Sequence, residues 1–309
     1  MLRGLAWLGA RGQYCLIAGL FAGLALPDLA EALRPWIGAM IVLLLVLTGI
    51  RVGAQAAIGS LDEIWNTLAR VGLLQLLMPL GALAVFSVTG LMQWPLALAV
   101  VLMLSAPSVT GAPNFAMMVK QDPAPGMRIL VLSTLIFPIT ALPLLLVLDL
   151  TGEGGGGALL LALGLLAPIL AAVGVGFAVR ARHPKLGEAY AKTVLEGIAA
   201  FLLGIVVVGL MSAIGPLLRS NPSALAIWIV IVLVINFGLV IGTFGFLQRR
   251  NAEMSVATAI YAGNRNIALF LIVLPENVAA PLLIFIGCYQ IPMYLTPFLI
   301  SRLPPLYHR

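Results

Sequence analysis

Apolar stretches of about 20 residues, nearly free of charge between their ends, follow one another along the whole of this chain. Only 9% of its 309 residues are charged and 62% are apolar, whereas a soluble domain carries about 25% charged residues. The pattern predicts an all-α membrane protein in a lipid bilayer. At about 20 residues per span, the length accommodates roughly ten transmembrane helices joined by short loops, with no further domain. The runs lie near residues 14–33, 36–52, 64–89, 94–121, 126–150, 157–181, 190–217, 223–249, 252–275 and 278–302. Arg3 and Arg11 ahead of the first run give it the look of a signal peptide. No small-x-small cleavage site follows, however, and Pro27 and Asp28 come next, so it reads as the first span.

Cytoplasmic loops of membrane proteins are enriched in Lys and Arg. Ten spans put all but three of the 17 Lys and Arg residues on the side of both termini, among them Arg51, Arg70, Lys120, Arg128, Arg180, Arg182, Lys185, Lys192, Arg249, Arg250 and Arg309. The exceptions are Arg34 and Arg219 on the other side and Arg265 inside the ninth span. The expected setting is a bacterial inner membrane with both termini cytoplasmic. The net charge of +6 is scattered over loops, without a basic run or interleaved aromatics, and this excludes nucleic acid as a partner. Cys15 and Cys288 lie inside apolar runs and read as packing residues, with no disulfide or metal site implied. His183 and His308 fall in a loop and a tail, and no Ser/His/Asp, HExxH or Asp-rich motif accompanies them. A membrane-embedded transferase, the competing class, therefore lacks its chemistry, and the chain is not expected to be an enzyme or to hold a cofactor.

The run Gly152-Glu-Gly-Gly-Gly-Gly157 straddles the midpoint of the sequence. It divides the chain into a first five-helix repeat (1–150), a glycine-rich linker (151–157) and a second five-helix repeat (158–309). Five spans in each half give the halves opposite orientations, and each half has its interrupted helix in fourth place. This is the layout of an inverted repeat, in which discontinuous helices frame a substrate site near the bilayer midplane. The fourth span is interrupted by Ser105-Ala-Pro-Ser-Val-Thr-Gly-Ala-Pro-Asn114 and the ninth by Gly263-Asn-Arg-Asn266. Pro107 and Pro113 remove donors and disfavour helix before them. Backbone that leaves the helix at membrane depth must be paired by protein, water or ligand.

Arg265 is the most informative residue, because a guanidinium at the bilayer centre costs at least about 2.5–3.5 kcal/mol on insertion scales. All eleven carboxylates lie in loops or at helix ends; even Glu253 and Glu276 are about a dozen residues away along the span. Its partner is then backbone carbonyl, water or an anionic substrate, for which an Arg fork is well suited. Asn114 and Thr110 on the first break, and Asn264 and Asn266 on the second, are the accompanying substrate-binding candidates. Tyr261, one turn before Arg265, either binds ligand or anchors the crossing. Gln75, Asn236, Ser133 and Thr134 are polar at mid-depth and read individually as helix–helix hydrogen bonds or ligand contacts.

These residues resemble the bile acid:sodium symporter superfamily. The resemblance lies in the segment 105–114, in Ser133-Thr134-Leu135 with Pro138, in Ala262-Gly-Asn-Arg-Asn266-Ile-Ala-Leu269, and in Gln75 followed by Met78-Pro79. It covers the whole chain in span order, and arsenite- and auxin-type efflux carriers share the architecture. It implies a core and a panel domain, with the fourth and ninth helices crossed in the core and a small organic anion taken up with sodium from the cavity between domains. The family's sodium sites use a Ser-Asn pair on the fourth helix, hydroxyls on the fifth, a Gln on the third, and a Glu and a Gln on the ninth. Gln75 and Asn114 match, and Asn266 matches the Asn after the family's Gln. The Ser position is Pro113, the Glu position Tyr261 and the Gln position Arg265; the hydroxyls fall near Val131 and Leu132 unless Ser133 and Thr134 substitute. Sodium prefers anionic and neutral oxygen, so binding at this altered site (Gln75, Asn114, Ser133, Thr134, Tyr261, Arg265) is expected to be weakened or absent. The expected function is a secondary active transporter of an organic anion by alternating access. Its relatives by resemblance include both sodium symporters and efflux carriers.

Overall fold

A computed structural model describes residues 2–10, 12–53, 61–248 and 252–303. Arg11, Arg249, Arg250, His308 and Arg309 lie outside the described residues. All regular elements among the described residues are helical. Among the described residues, seven helices are long and apolar enough to cross a membrane: Pro27–Val52, Glu63–Val88, Ala124–Leu148, Gly154–Arg182, Ala189–Ser220, Pro222–Gln248 and Glu276–Arg302. Tyr14–Ala25, Pro95–Ser105 and Met254–Gly263 are shorter apolar helices. The chain is an all-α, multi-pass membrane protein.

The N-terminal region differs from expectation. Helices α1 (Leu2–Ala10) and α2 (Gly12–Ala25) begin a dozen residues before the expected run. They rise alongside the helix Ala189–Leu210: Gly9 meets Thr193, Gly19 meets Gly204 and Gly23 meets Val208. The chain reverses at Leu26 (φ −120°, ψ 70°), not at residues 33–36. Pro27 disfavours helical geometry at the residue before it, which makes Leu26 the break. Helix α3 (Pro27–Leu33), a 3₁₀ turn at Arg34–Trp36 and α4 (Ile37–Val52) then return along the same neighbour, with Pro27 near Gly215, Ile37 beside Gly209 and Arg51 beside Glu196. Pro35 falls within the 3₁₀ turn, so Arg34-Pro35, expected in a loop, lies within the returning helix.

Helix α5 (Leu61–Val71) runs through a π-helical stretch, Gly72–Leu77, into α6 (Met78–Val88). Pro79 has no N–H to give to that stretch, which frees carbonyls there. Helix α7 (Pro95–Ser105) unwinds at Ala106 (ψ 152°) and α8 (Ala112–Met118) resumes, with Pro113 in its first turn, where the missing N–H costs nothing. The long helices α9 (Ala124–Leu148) and α10 (Gly154–Arg182) follow. Of the expected 151–157 linker only Thr151–Glu153 stay outside helix. Asp149 accepts a hydrogen bond from the Gly154 amide (2.9 Å), which seats the glycine run as the first turn of α10. Next come α11 (Ala189–Leu210), α12 (Ile214–Ser220), α13 (Pro222–Gln248), α14 (Ala252–Gly263), a 3₁₀ segment Ile267–Ile272 in place of a second α half-helix, and α15 (Glu276–Arg302).

Helices α1–α4, α10 and α11 pack as one group. Two close approaches hold it: a Cβ on Gly197 would lie 1.8 Å from the Leu5 carbonyl oxygen, and one on Gly176 would lie 2.6 Å from that of Val46. Between helices in lipid, close van der Waals packing of this kind is the main attraction. Gly197→Ala is therefore expected to destabilise the protein by about 1–3 kcal/mol through overpacking. Gly242→Ala, with open space around it, is expected to be neutral or to stabilise by up to about 1 kcal/mol. Thermal unfolding of the two purified variants checks the contrast.

Candidate functional site

The two unwound segments cross and pair through their backbones. Ser108 and Arg265 form an isolated antiparallel bridge: the Val109 amide donates to Asn264 O (3.0 Å) and the Asn266 amide to Pro107 O (2.8 Å). The Ser108 amide donates to Ser133 Oγ (3.1 Å), and the Arg265 amide to the Tyr289 hydroxyl (3.3 Å). The Gly263 carbonyl accepts from Asn236 Nδ2 and from the Tyr289 hydroxyl. Most groups stranded by the breaks are thus satisfied within the protein, as burial in lipid demands.

Arg265 closes this arrangement. The residue is 1% exposed, and its guanidinium donates to three carbonyl oxygens on three segments. Nε reaches Ala262 O (3.2 Å), Nη1 reaches Ala106 O (3.1 Å), and Nη2 reaches Leu74 O (3.1 Å) in the π-helical stretch. Its carbon lies 4.0 Å from the centre of the Tyr261 ring, a cation–π contact. The Tyr261 hydroxyl donates to Gln75 Oε1 (2.7 Å), and Gln75 Nε2 donates to Ser133 O (3.0 Å) and Thr140 Oγ1 (2.7 Å). A single positive charge is therefore ringed by carbonyl dipoles and an aromatic face. That is the environment a bound cation requires, assembled around a side chain.

The expected residues do not converge on one site. Gln75, Ser133, Tyr261 and Arg265 come together around the guanidinium. Asn264, fully buried, joins a neighbouring cluster: its Nδ2 donates to Ile260 O (2.8 Å) and its Oδ1 accepts from Thr296 Oγ1 (3.0 Å) and Asn236 Nδ2 (3.4 Å). Thr110 and Asn114 lie apart from both clusters, on the wall of a cavity of about 340 Å³. Asn266 lines, with Thr110 and Arg265, a separate small pocket of about 30 Å³ at the crossing. Thr134 faces elsewhere, into a 20 Å³ gap beside Thr48 and Leu45.

The 340 Å³ cavity separates the group containing α1–α4 and α11 from α8 and α15. Leu16, Leu44, Thr48, Arg51, Glu196 and Leu203 line one wall; Thr110, Asn114, Phe115, Met117, Met118 and Tyr294 line the other. Beyond the crossing the walls close, with Gly38 against Ile272 and Ile37 and Ile41 in one apolar cluster with Ile267 and Phe270. There a second cavity, about 610 Å³, holds Arg34 in ion pairs with Glu276 and with Glu31 (3.6 Å). Tyr289, Thr140, Thr296 and Tyr294 had no signal in the sequence beyond being polar in apolar helices. The Arg51–Glu196 pair (3.0 Å) joins residues 145 positions apart, which no local spacing reveals.

No family model matches this chain, and no curated protein matches it.

Tyr261→Phe keeps the ring under the guanidinium and removes only the hydroxyl, leaving buried Gln75 Oε1 without its donor. The expected loss is about 1–3 kcal/mol. Tyr261→Leu is expected to lose about 2 kcal/mol more, the worth of a desolvated cation–π contact. Unfolding midpoints of the two variants separate the hydroxyl from the ring.

Proposed function

We propose that this protein is a secondary transporter that carries a small organic anion across the membrane by alternating access, without sodium coupling. The observation that carries this is the guanidinium of Arg265 at the crossing of two unwound segments, occupying with three carbonyl hydrogen bonds the kind of place a coordinated cation fills. A cation built into the chain neither enters nor leaves. The crossing is therefore assembled at every stage of a cycle, and the coupling left available is to a proton, to a counter-anion or to the substrate's own gradient.

An anion is favoured as cargo because, among the described residues, no carboxylate forms an ion pair with that buried charge, and in a low-dielectric bundle its field acts over a longer range than in water. The cavity beside the crossing offers neutral donors. Among the described residues, the amides of Thr110 and Gly111 and the side chains of Thr110 and Asn114 have no hydrogen-bond partner. A volume of 340 Å³ falls at the small end of the range of about 300–1,000 Å³ for ligand pockets.

In this reading ten spans form a 5+5 inverted repeat. Helices α1–α4, α10 and α11 make the panel, the remaining spans make the core, and the family resembled is the bile acid:sodium symporters. The basic residues then face the cytoplasm of a bacterial cell together with both termini, and the 340 Å³ cavity opens inward. Rocking of the core against the panel opens the Arg34–Glu276 side and closes the other.

The experiment is thermal unfolding of the purified protein with benzoate, toluenesulfonate and naphthoate, each in sodium or potassium at equal ionic strength. A ligand that binds the native state raises its apparent stability by mass action. Equal stabilisation by an anion in both salts is expected. A shift with sodium alone, or one that needs sodium, overturns the proposal. Arg265→Gln is expected to lose about 3–6 kcal/mol, from two or more charge-assisted hydrogen bonds worth about 1.5–3 kcal/mol each. Sodium, but not potassium, is expected to recover part of that loss.

A further inference from the structure

Among the described residues, Arg51 is the one charged donor on the wall of the 340 Å³ cavity, and it is incompletely used. Its side chain is only 10% exposed, Nη2 donates to Glu196 Oε1 at 3.0 Å, and Nε is buried with no hydrogen-bond partner. Glu196 thus engages one guanidinium nitrogen where a carboxylate or sulfonate can engage two in parallel. Arg128 also has a buried, unpartnered Nε beside Glu63 (3.0 Å), yet it lines neither of the two larger cavities. Arg265, the other buried cation near this space, has its donors committed to carbonyls.

We propose that Arg51 is the anion-binding residue of the cavity, that it takes a singly charged carboxylate or sulfonate, and that Glu196 is a resident competitor displaced when the anion binds. This rests on the transporter function proposed above and names the cargo's recognition. Both residues belong to the same helix group, Arg51 on α4 and Glu196 on α11, so the pair is no gate between moving halves and holds its place on one wall. With a single guanidinium on the wall among the described residues, a monoanion is matched and a dianion is left with one charge unpaired. Leu16, Leu44, Leu203, Phe115 and Met118 supply the apolar surface for a compact body such as one or two fused rings.

The two partners predict effects of opposite sign. Binding of benzoate, toluenesulfonate and naphthoate is measured by thermal shift and titration calorimetry on wild type, Arg51→Gln, Arg51→Lys and Glu196→Gln, with phthalate as a dianion control. Arg51→Gln is expected to bind about 10- to 100-fold more weakly, the worth of one charge-assisted hydrogen bond. Arg51→Lys is expected to recover part of that loss. Glu196→Gln, which frees the guanidinium, is expected to bind severalfold more tightly than wild type. Unchanged or weaker binding by Glu196→Gln, or wild-type affinity in Arg51→Gln, overturns the assignment while leaving an anion carrier in place. If Arg51→Gln does not fold, the Glu196→Gln and Arg51→Lys results decide alone. If no anion stabilises either wild type or Glu196→Gln, the organic-anion function itself fails.

Discussion

Around Ala106–Val109 and Asn264–Asn266, backbone amides and carbonyls lie deep in an apolar bundle where neither helix nor water completes them. The bridge between the two unwound segments satisfies only part of this demand. The rest is met by Ser133 Oγ, the Tyr289 hydroxyl, Asn236 Nδ2 and, on the carbonyl side, by Arg265. Because Arg265 also reaches Leu74 O, it ties the crossing to the π-helical turn created by Pro79. Tyr261 and Gln75 are positioned by the same contact. One side chain therefore links three irregular segments.

A charge placed there has consequences for what the protein does. A guanidinium is always protonated, so it supplies a constant positive potential at the crossing, unlike an ion that exchanges with solvent. Its donors are spent on carbonyls, and this separates two roles that the sequence merges in one residue: support of the unwound backbone, and direct contact with cargo. Under the proposed function, Thr110 and Asn114 on one wall of the 340 Å³ cavity, facing Arg51 and Glu196 on the other, take the second role. The apolar layer around Ile37, Ile41 and Ile267 separates the 340 Å³ cavity on one side of the crossing from the 610 Å³ cavity around Arg34 and Glu276 on the other.

The helical membrane architecture was legible because apolar run length is a direct physical requirement of the bilayer. The breaks were legible because Pro107, Pro113 and Gly263 cannot be ignored by a helix. Where local rules competed, the sequence misled: Arg34-Pro35 looks like a loop, yet the reversal sits at Leu26 and Pro35 is absorbed in a 3₁₀ turn. The glycine run at 152–157 looks like a tether, yet Asp149 caps it and Gly154 starts a helix. The partners of Arg265 were out of reach, since two of its acceptors are main-chain oxygens 159 and 191 residues away, and any residue supplies a carbonyl.

Residence in lipid, the interruption of two helices and the lone Arg in one interruption follow from residue order alone, because hydropathy, proline geometry and ionic charge are properties of residues. Which carbonyls receive that Arg, which polar residues turn to the cavity, and that Arg51 stands opposite Thr110 and Asn114 emerge from the packed fold. Those outcomes depend on helix rotation and on contacts between segments far apart in the chain, which no one-dimensional spacing encodes.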